Sequence, residues 1–179
     1  MDKKIIVIPG AFSLALKYKG YEALDIWLGK VDLDKIRNAD WIVTNSAGAN
    51  YLFSSVNIKN NQKIILVGPL LKRRSWWSLI MRDIKFLTGE GVVMKQMISP
   101  IYYPYAFLKM IRVLRLPVLE NIKKLPKENI FIIRGNKDCY FCDEEDTELA
   151  RKEGLKVFEV EAGHNWNENV SKQIKEIIK

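Results

Sequence analysis

The chain has 179 residues, of which 48% are hydrophobic and 28% are charged, a composition typical of one soluble globular domain and unlike disordered or collagen-like chains. No apolar run approaches the roughly 18 residues needed to cross a bilayer as a helix. The formal net charge of +8 is concentrated in residues 72–125, which contain eleven Lys and Arg but only three Asp and Glu, whereas the remaining residues are neutral in sum.

The N-terminal run "KIIVIP", residues 4–9, predicts a first strand. Lysines before an apolar run are also a feature of signal peptides. Here Pro9 and Gly10 interrupt the run, and no small-residue cleavage site follows it. We therefore expect a cytoplasmic protein.

Five short apolar runs rich in Val and Ile predict strands that are buried on both faces of a parallel sheet. They lie at 4–9, 40–45, 63–68, 129–135 and 156–161. Helices are predicted between or after them at 21–31, 47–56, 143–154 and 167–179, with 24–28 as an alternative edge strand. This alternation predicts an α/β fold, with a mostly parallel sheet of about five to six strands and helices on both faces.

The connection between the third and fourth predicted strands is too long for a plain crossover. We expect it to form a helical cap or lid at about 70–126, inserted into a single domain of residues 1–179. Helices are predicted at 75–87, with Ser75 as N-cap, and at 105–116. The segment is rich in Met and aromatic residues, which form adaptable binding surfaces. Trp76, Trp77 and Tyr103 are its candidate substrate contacts, although a pair of packed helices with a solvated basic face would explain the same composition.

Three side chains of complementary chemistry follow predicted strands, where ligands bind in open α/β sheets. Ser46 follows the second strand, Asp138 the fourth and His164 the fifth, and His164 is the only histidine. A serine hydroxyl becomes a nucleophile when a histidine accepts its proton, and a carboxylate orients that histidine. Read alone, Ser46 would be an ordinary helix cap, but the order and position of the three favour a catalytic site.

Such a site also needs backbone N–H groups that bind an oxyanion. The N–H of Ala47, at the start of the helix after Ser46, is one candidate. The N–H of Ala11, or that of Phe12, follows the first strand and is the other. Gly10 precedes Ala11, Asn45 precedes Ser46 and Trp166 follows His164 by two residues. These three are further candidate substrate contacts.

The order Ser, Asp, His on successive post-strand turns resembles the α/β-hydrolase superfamily of serine hydrolases. The motifs are "TNSAG" at 44–48, "GNKD" at 135–138 and "AGHNW" at 162–166. The resemblance implies Ser46 as nucleophile, Asp138 as acid and His164 as base, with Asp143 as an alternative acid. The sequence departs from the family elbow G-x-S-x-G at Thr44, which is β-branched and stiff.

The resemblance implies hydrolysis of an ester or thioester with an apolar acyl group, through an acyl-enzyme and with no cofactor or metal. Cys139 and Cys142 are expected to be reduced thiols without a catalytic role. The alternative is a vestigial hydrolase fold whose basic, aromatic cap docks on an anionic membrane or a partner protein. Nucleic-acid binding is not expected, since large apolar residues interleave with the basic ones. The oligomeric state stays open.

Overall fold

The computed structural model describes residues 3–29 and 31–179. The strands are β1 Ile5–Ile8, β2 Glu22–Ala23, β3 Trp41–Asn45, β4 Lys63–Val67, β5 Ile130–Gly135 and β6 Lys156–Val160. The α-helices are α1 Leu33–Arg37, α2 Gly48–Ser55, α3 Trp76–Gly89, α4 Tyr103–Val113, α5 Val118–Ile122, α6 Glu144–Lys152 and α7 Glu168–Ile178. Within these ranges, no helix is both long and apolar enough to cross a membrane.

The six strands form one sheet in the order β2-β1-β3-β4-β5-β6, with every pairing parallel. This confirms the predicted α/β class and strand number. All five residues of β3 are buried, as expected for a central strand covered on both faces. One apolar cluster, which includes Ile42 and Leu52, covers one face, and a second, which includes Val43 and Ile174, covers the other.

The carboxyl ends of the strands meet at one edge, because the sheet is parallel throughout. The turns after β1, β3, β5 and β6 therefore lie side by side, and they carry Ala11, Ser46, Asp138 and His164 respectively. The ends of β3 and β4 stay bonded one residue beyond the paired strands, since the N–H of Ser46 donates to the carbonyl of Val67 over 2.8 Å.

The prediction of a helix at 21–31 is wrong for the part of it that the structure describes; Lys30 lies outside the described residues. Glu22 and Ala23 pair with β1 as the edge strand β2, directly before the segment considered as an alternative strand. The N–H of Leu24 donates to the carbonyl of Val7, and the indole of Trp27 donates to the carbonyl of Gly10. These contacts with β1 and its turn override the local helical pattern, and the helix of this region is α1, further along the chain.

The connection from β4 to β5 contains α3, α4 and α5, and we call residues 70–126 the insertion. The predicted helices at 75–87 and 105–116 correspond to α3 and α4, and Ser75 caps α3 by accepting from the N–H of Ser78. The insertion packs on the same core as the sheet, since Phe86, Ala106 and Val118 belong to the apolar cluster that contains Ile42.

Candidate active site

The turn from β3 into α2 holds Ser46 in a strained conformation. Its φ is 49°, in the left-handed region that non-glycine residues rarely adopt. Gly48 permits the tight crossing, because a Cβ there would lie 2.5 Å from the carbonyl oxygen of Ile8. The serine thus stands at the tip of a sharp strand–turn–helix element, as the motif "TNSAG" predicted.

Ser46, His164 and Asp138 form a hydrogen-bonded chain. The Nε2 of His164 lies 2.9 Å from the Oγ of Ser46, and its Nδ1 lies 2.6 Å from the Oδ2 of Asp138. Asp138 is 1% exposed, whereas Ser46 and His164 are each 8% exposed. The acid is therefore sealed in the protein, while the serine and histidine are buried but each keep a small exposed fraction.

The environment keeps Asp138 ionised. Burial raises the pKa of this carboxyl, but the hydrogen bond and charge of His164, with the N–H groups of Phe141 and Tyr140, outweigh burial and leave the pKa below its usual value. The alternative acid, Asp143, lies elsewhere: it caps α6 and forms ion pairs with Arg74 and Arg82. Among the two candidates, the structure brings Asp138 to the imidazole.

The turn after β1 lies against the serine. A Cβ on Gly10 would be 3.4 Å from the Cβ of Ser46. Two buried side chains fix this turn: the indole of Trp27 donates to the carbonyl of Gly10, and the hydroxyl of Tyr18 accepts from its N–H. Phe12, with a φ of 53°, completes the turn.

Three backbone N–H groups in the turns after β1 and β3 are unpaired in the part of the chain that the structure describes. Within the described ranges, the N–H groups of Ala11, Phe12 and Ala47 donate to no protein acceptor. Ala47 is the N-cap residue of α2, where N–H groups are left without intrahelical partners. These are the groups that the sequence singled out for binding an oxyanion.

Gly10 and Asn45, predicted as substrate contacts, both support the turn through Tyr18. The hydroxyl of Tyr18 donates to the Oδ1 of Asn45 over 2.9 Å while it accepts from Gly10. The N–H of Gly10 is thereby occupied, and Asn45 is only 3% exposed. The two residues fix the position of the β1 turn relative to β3.

The remaining predicted contacts divide between near and remote positions. The ring of Tyr103 lies 5.5 Å from that of Phe12, beside the site. Trp166 packs edge-on against Tyr18 and donates to Ser171, so it supports the turn from behind. The contacts of Tyr103 and Trp166 described here are both made with other residues of the protein.

Trp76 and Trp77 lie far along α3 from the histidine. The last turn of α3 contacts the site through Phe86, whose ring is 5.6 Å from the imidazole. Trp76 begins the helix ten residues earlier, which corresponds to about 15 Å along the axis. Both tryptophans are exposed, so the structure does not bring them to Ser46.

Two aromatic side chains that we did not predict enclose the histidine. The ring of Phe141 lies 4.6 Å from the imidazole, and Phe86 approaches it edge-on. Gly68 has a φ of 53°, which disfavours other residues, and a Cβ there would lie 3.2 Å from the imidazole, closer than an ordinary van der Waals contact. These residues come from the insertion, the β5–α6 turn and the end of β4, and no local motif marks them.

Glu90, at the end of α3, is also a residue of the site that the sequence did not predict. Its two carboxylate oxygens accept the N–H groups of His164, over 2.7 Å, and of Asn165, over 2.6 Å. Gly163 makes room for it, since a Cβ there would lie 2.2 Å from the carboxylate. The insertion therefore holds the histidine turn directly. Glu90 is one of only three acids in the basic segment, which is the signal that could have found it.

Both cysteines are free thiols. Cys139 is exposed, and Cys142 is buried, where burial raises the pKa of its thiol well above the usual value. Across residues 3–29 and 31–179, no cluster of three or more His, Cys, Asp or Glu side chains has the arrangement of a metal site.

Comparisons with known proteins identify the fold. No protein-family model matches the sequence, and no curated protein matches it. Among solved structures, a carboxylesterase of the archaeon Nitrososphaera gargenis is similar, with a TM-score of 0.59 and 13% identity over 97% of this chain and 87% of that one. An α/β-hydrolase from a Medee basin deep-sea metagenome library has a TM-score of 0.60 and 16% identity over 99% and 88% of the two chains.

A thioesterase domain from the curacin biosynthetic pathway is similar as well, with a TM-score of 0.59 and 13% identity over 99% of this chain and 91% of that domain. At such identities the likeness concerns the fold. The chain has the α/β-hydrolase fold, and its structural neighbours include esterases and a thioesterase.

Proposed function

We propose that the protein is a serine hydrolase that cleaves an ester or thioester through an acyl-enzyme on Ser46. The observation that carries the proposal is the hydrogen-bonded chain from Ser46 through His164 to Asp138, at the carboxyl edge of a hydrolase sheet. The fold alone would not suffice, because one fold hosts many functions.

The first half-reaction transfers the acyl group to the enzyme. The Nε2 of His164 accepts the proton of Ser46 as the Oγ attacks the substrate carbonyl carbon, and the ionised Asp138 stabilises the imidazolium that forms. The carbonyl oxygen becomes an oxyanion, which the N–H of Ala47 and that of Ala11 or Phe12 bind. Each such donor is worth about 3 kcal/mol in the transition state. The imidazolium then protonates the leaving alcohol or thiol as the bond to carbon breaks.

The second half-reaction releases the acid. His164 accepts a proton from water, the hydroxide equivalent attacks the acyl carbon, and the imidazolium returns a proton to the Oγ of Ser46 as the acyl bond breaks. The acyl group would lie among aromatic side chains, since Phe86, Phe141 and Tyr103 stand near the histidine or the Phe12 turn. This favours substrates with an apolar acyl group.

Labelling with a fluorophosphonate probe tests the proposal. We expect wild type to gain the mass of one probe, on the peptide that contains Ser46, and Ser46→Ala to remain unlabelled. Ser54→Ala is the matched control, because Ser54 is exposed near the end of the same helix and bonds only to its neighbours. Ser54→Ala should label at the wild-type rate. An unlabelled wild type, or a labelled Ser46→Ala, would refute the nucleophile.

Hydrolysis of p-nitrophenyl esters and matched acyl thioesters of increasing chain length then measures the substrate class. We expect kcat/KM to rise with acyl length over the short members of the series. Ser46→Ala should lower kcat by about four orders of magnitude or more. A protein that is labelled at no serine and hydrolyses neither series would instead be a vestigial hydrolase fold.

A further inference from the structure

Exposed apolar side chains are concentrated in the insertion. Within the described residues, fifteen large apolar side chains are exposed, and all but Leu16 lie in the insertion. Ile101 is 80% exposed and Trp77 is 71% exposed. Scattered single residues of this kind are ordinary on protein surfaces, whereas a contiguous group marks a binding surface.

Helix α3 presents an apolar face to solvent. Trp76, Ile80, Ile84 and Leu87 are spaced by four, four and three residues and are all exposed, so they form one stripe along the helix. Phe86, which lies about 100° around the helix from Leu87, is the one buried residue of the helix. A surface helix normally turns mainly polar residues outward, whereas α3 exposes this apolar stripe together with its polar residues Asp83 and Lys85.

Helix α4 also exposes apolar side chains. Ala106 and Val113 are buried against the core, whereas Phe107 and Leu108 are half exposed or more. Ile101 precedes the helix on the 3-10 turn that leads into it. We call the exposed apolar side chains of α3, α4 and the chain between them the insertion face.

Unpaired positive charge accompanies the insertion face. In the part of the chain that the structure describes, six exposed cations of the insertion form no ion pair: Arg73, Lys85, Lys95, Arg112, Arg115 and Lys124. Of the three acids in this segment, Glu90 is bound to the histidine turn, which leaves Asp83 and Glu120. The insertion therefore exposes both apolar side chains and unpaired cations.

We propose that the insertion face binds the surface of an anionic lipid bilayer. Its aromatic and aliphatic side chains would enter the boundary between headgroups and acyl chains, where Trp and Tyr are favoured. The lysines and arginines would contact anionic headgroups, each contributing attraction that falls with ionic strength. The proposal is independent of the proposed function, since it needs no catalysis.

A second copy of the chain fits this surface less well. The common symmetric dimer brings one patch against the same patch of its partner, and here that would oppose two sets of unpaired cations such as Arg112 and Arg115. A nucleic acid would leave the aliphatic stripe of α3 without a partner. Charge and apolar character together select an anionic, amphiphilic surface.

Vesicle flotation with the purified Ser46→Ala variant tests the proposal without hydrolysis. We expect it to float with vesicles of equal parts phosphatidylglycerol and phosphatidylcholine at low salt, and to remain behind with pure phosphatidylcholine. Trp77→Ser should weaken binding roughly tenfold, since burial of one large apolar side chain has about that effect. Arg112→Gln/Arg115→Gln should weaken it roughly 20-fold.

Two variants outside the insertion serve as controls. Leu16→Ser removes the one exposed large apolar side chain elsewhere in the described chain, and Lys172→Gln/Lys175→Gln removes two exposed cations of α7. Both should bind as the parent does, and thermal midpoints check that all variants are folded. Absence of flotation at low salt, or equal weakening by the control variants, would overturn the proposal. So would sedimentation velocity that finds a dimer which Trp77→Ser dissociates.

Discussion

Thr44 stands where hydrolase elbows commonly have a glycine, and the structure accommodates it within β3. It pairs in register with Ile8 and Leu66, is fully buried, and keeps strand geometry, which suits a β-branched residue. The tight approach of α2 to β1 is met by Gly48 instead. A threonine at this position is therefore compatible with the strained φ of Ser46.

The hydroxyl of Thr44 has no hydrogen-bond partner among the described residues. Thr44→Val removes this hydroxyl at nearly constant shape, and a buried unsatisfied hydroxyl costs about 1–3 kcal/mol. We expect the free energy of unfolding to rise by about 1 kcal/mol, measured by urea denaturation, with the fluorophosphonate labelling rate unchanged.

Thr147→Val is the matched control, because Thr147 is equally buried but donates its hydroxyl to the carbonyl of Asp143. This variant should lose about 1 kcal/mol. A loss of stability in Thr44→Val that equals the loss in Thr147→Val would mean that the Thr44 hydroxyl is bonded.

At the scale of elements, the strands followed from the sequence and the contacts between distant elements did not. Apolar runs such as 63–68 are continuous and rich in β-branched residues, so the position and length of each strand can be predicted from the sequence alone. The segment 21–31 has helical spacing, yet Trp27 and Leu24 form hydrogen bonds to the β1 strand and its turn. These contacts join residues that are distant in sequence, so the local pattern does not predict them.

In the candidate site, too, some residues can be predicted from the sequence and others cannot. Ser46, Asp138 and His164 follow predicted strands, so the parallel topology was enough to expect them at one edge. Phe86 and Glu90 come from the insertion, more than 70 residues from the histidine, and their contacts depend on how α3 packs. No spacing rule connects them to His164.

Glu90 links two elements, because it joins the end of α3 to the histidine turn. Glu90→Gln keeps the shape but replaces one of two accepting oxygens with an NH₂ group, which would face a backbone N–H. We expect fluorophosphonate labelling, and kcat for any ester that is hydrolysed, to fall about tenfold with KM nearly unchanged, since the imidazole loses its fixed position.

Glu120→Gln is the control for this variant, since Glu120 is an exposed acid of the same insertion. It should leave both rates at the wild-type value. Far-UV circular dichroism should be the same for both variants. A Glu90→Gln protein that labels as fast as wild type would show that the carboxylate does not position the histidine.

At the scale of the whole molecule, the insertion joins the rest of the protein through polar contacts at both ends of α3. Glu90 holds the histidine turn at one end. Just before the other, Arg74 pairs with Asp143 and Asp146 at the start of α6, and Arg82, in the middle of α3, also pairs with Asp143. Both contacts lie beside buried apolar packing, so they orient the insertion rather than hold it alone.

The ion pair between Arg74 and Asp146 is the more deeply buried of these contacts. The side chain of Arg74 is 10% exposed and that of Asp146 is 0% exposed. Burial raises the pKa of Asp146, and the nearby Arg74 opposes that rise. Removal of one partner from such a pair leaves an uncompensated charge, which costs about 3–5 kcal/mol.

Arg74→Met should therefore lower the free energy of unfolding by about 3 kcal/mol at pH 7, measured in urea. Its pH dependence follows from Asp146, whose raised pKa rises further without the guanidinium. Between the unfolded pKa of about 4 and the raised folded value, the folded state binds a proton that the unfolded state lacks, so stability falls as pH rises. The variant should recover stability when the pH is lowered from 7 toward the unfolded value.

Asp146→Asn, added to Arg74→Met, should restore part of the loss at pH 7 and remove that recovery, because position 146 then carries no charge, while Asp143 keeps its pair with Arg82. Lys123→Met is the control, since the pair of Lys123 with Glu153 is more exposed, and surface pairs of this kind contribute about 1 kcal/mol or less. If Arg74→Met were no more destabilising than Lys123→Met, the insertion would depend on its apolar packing alone for its attachment to α6.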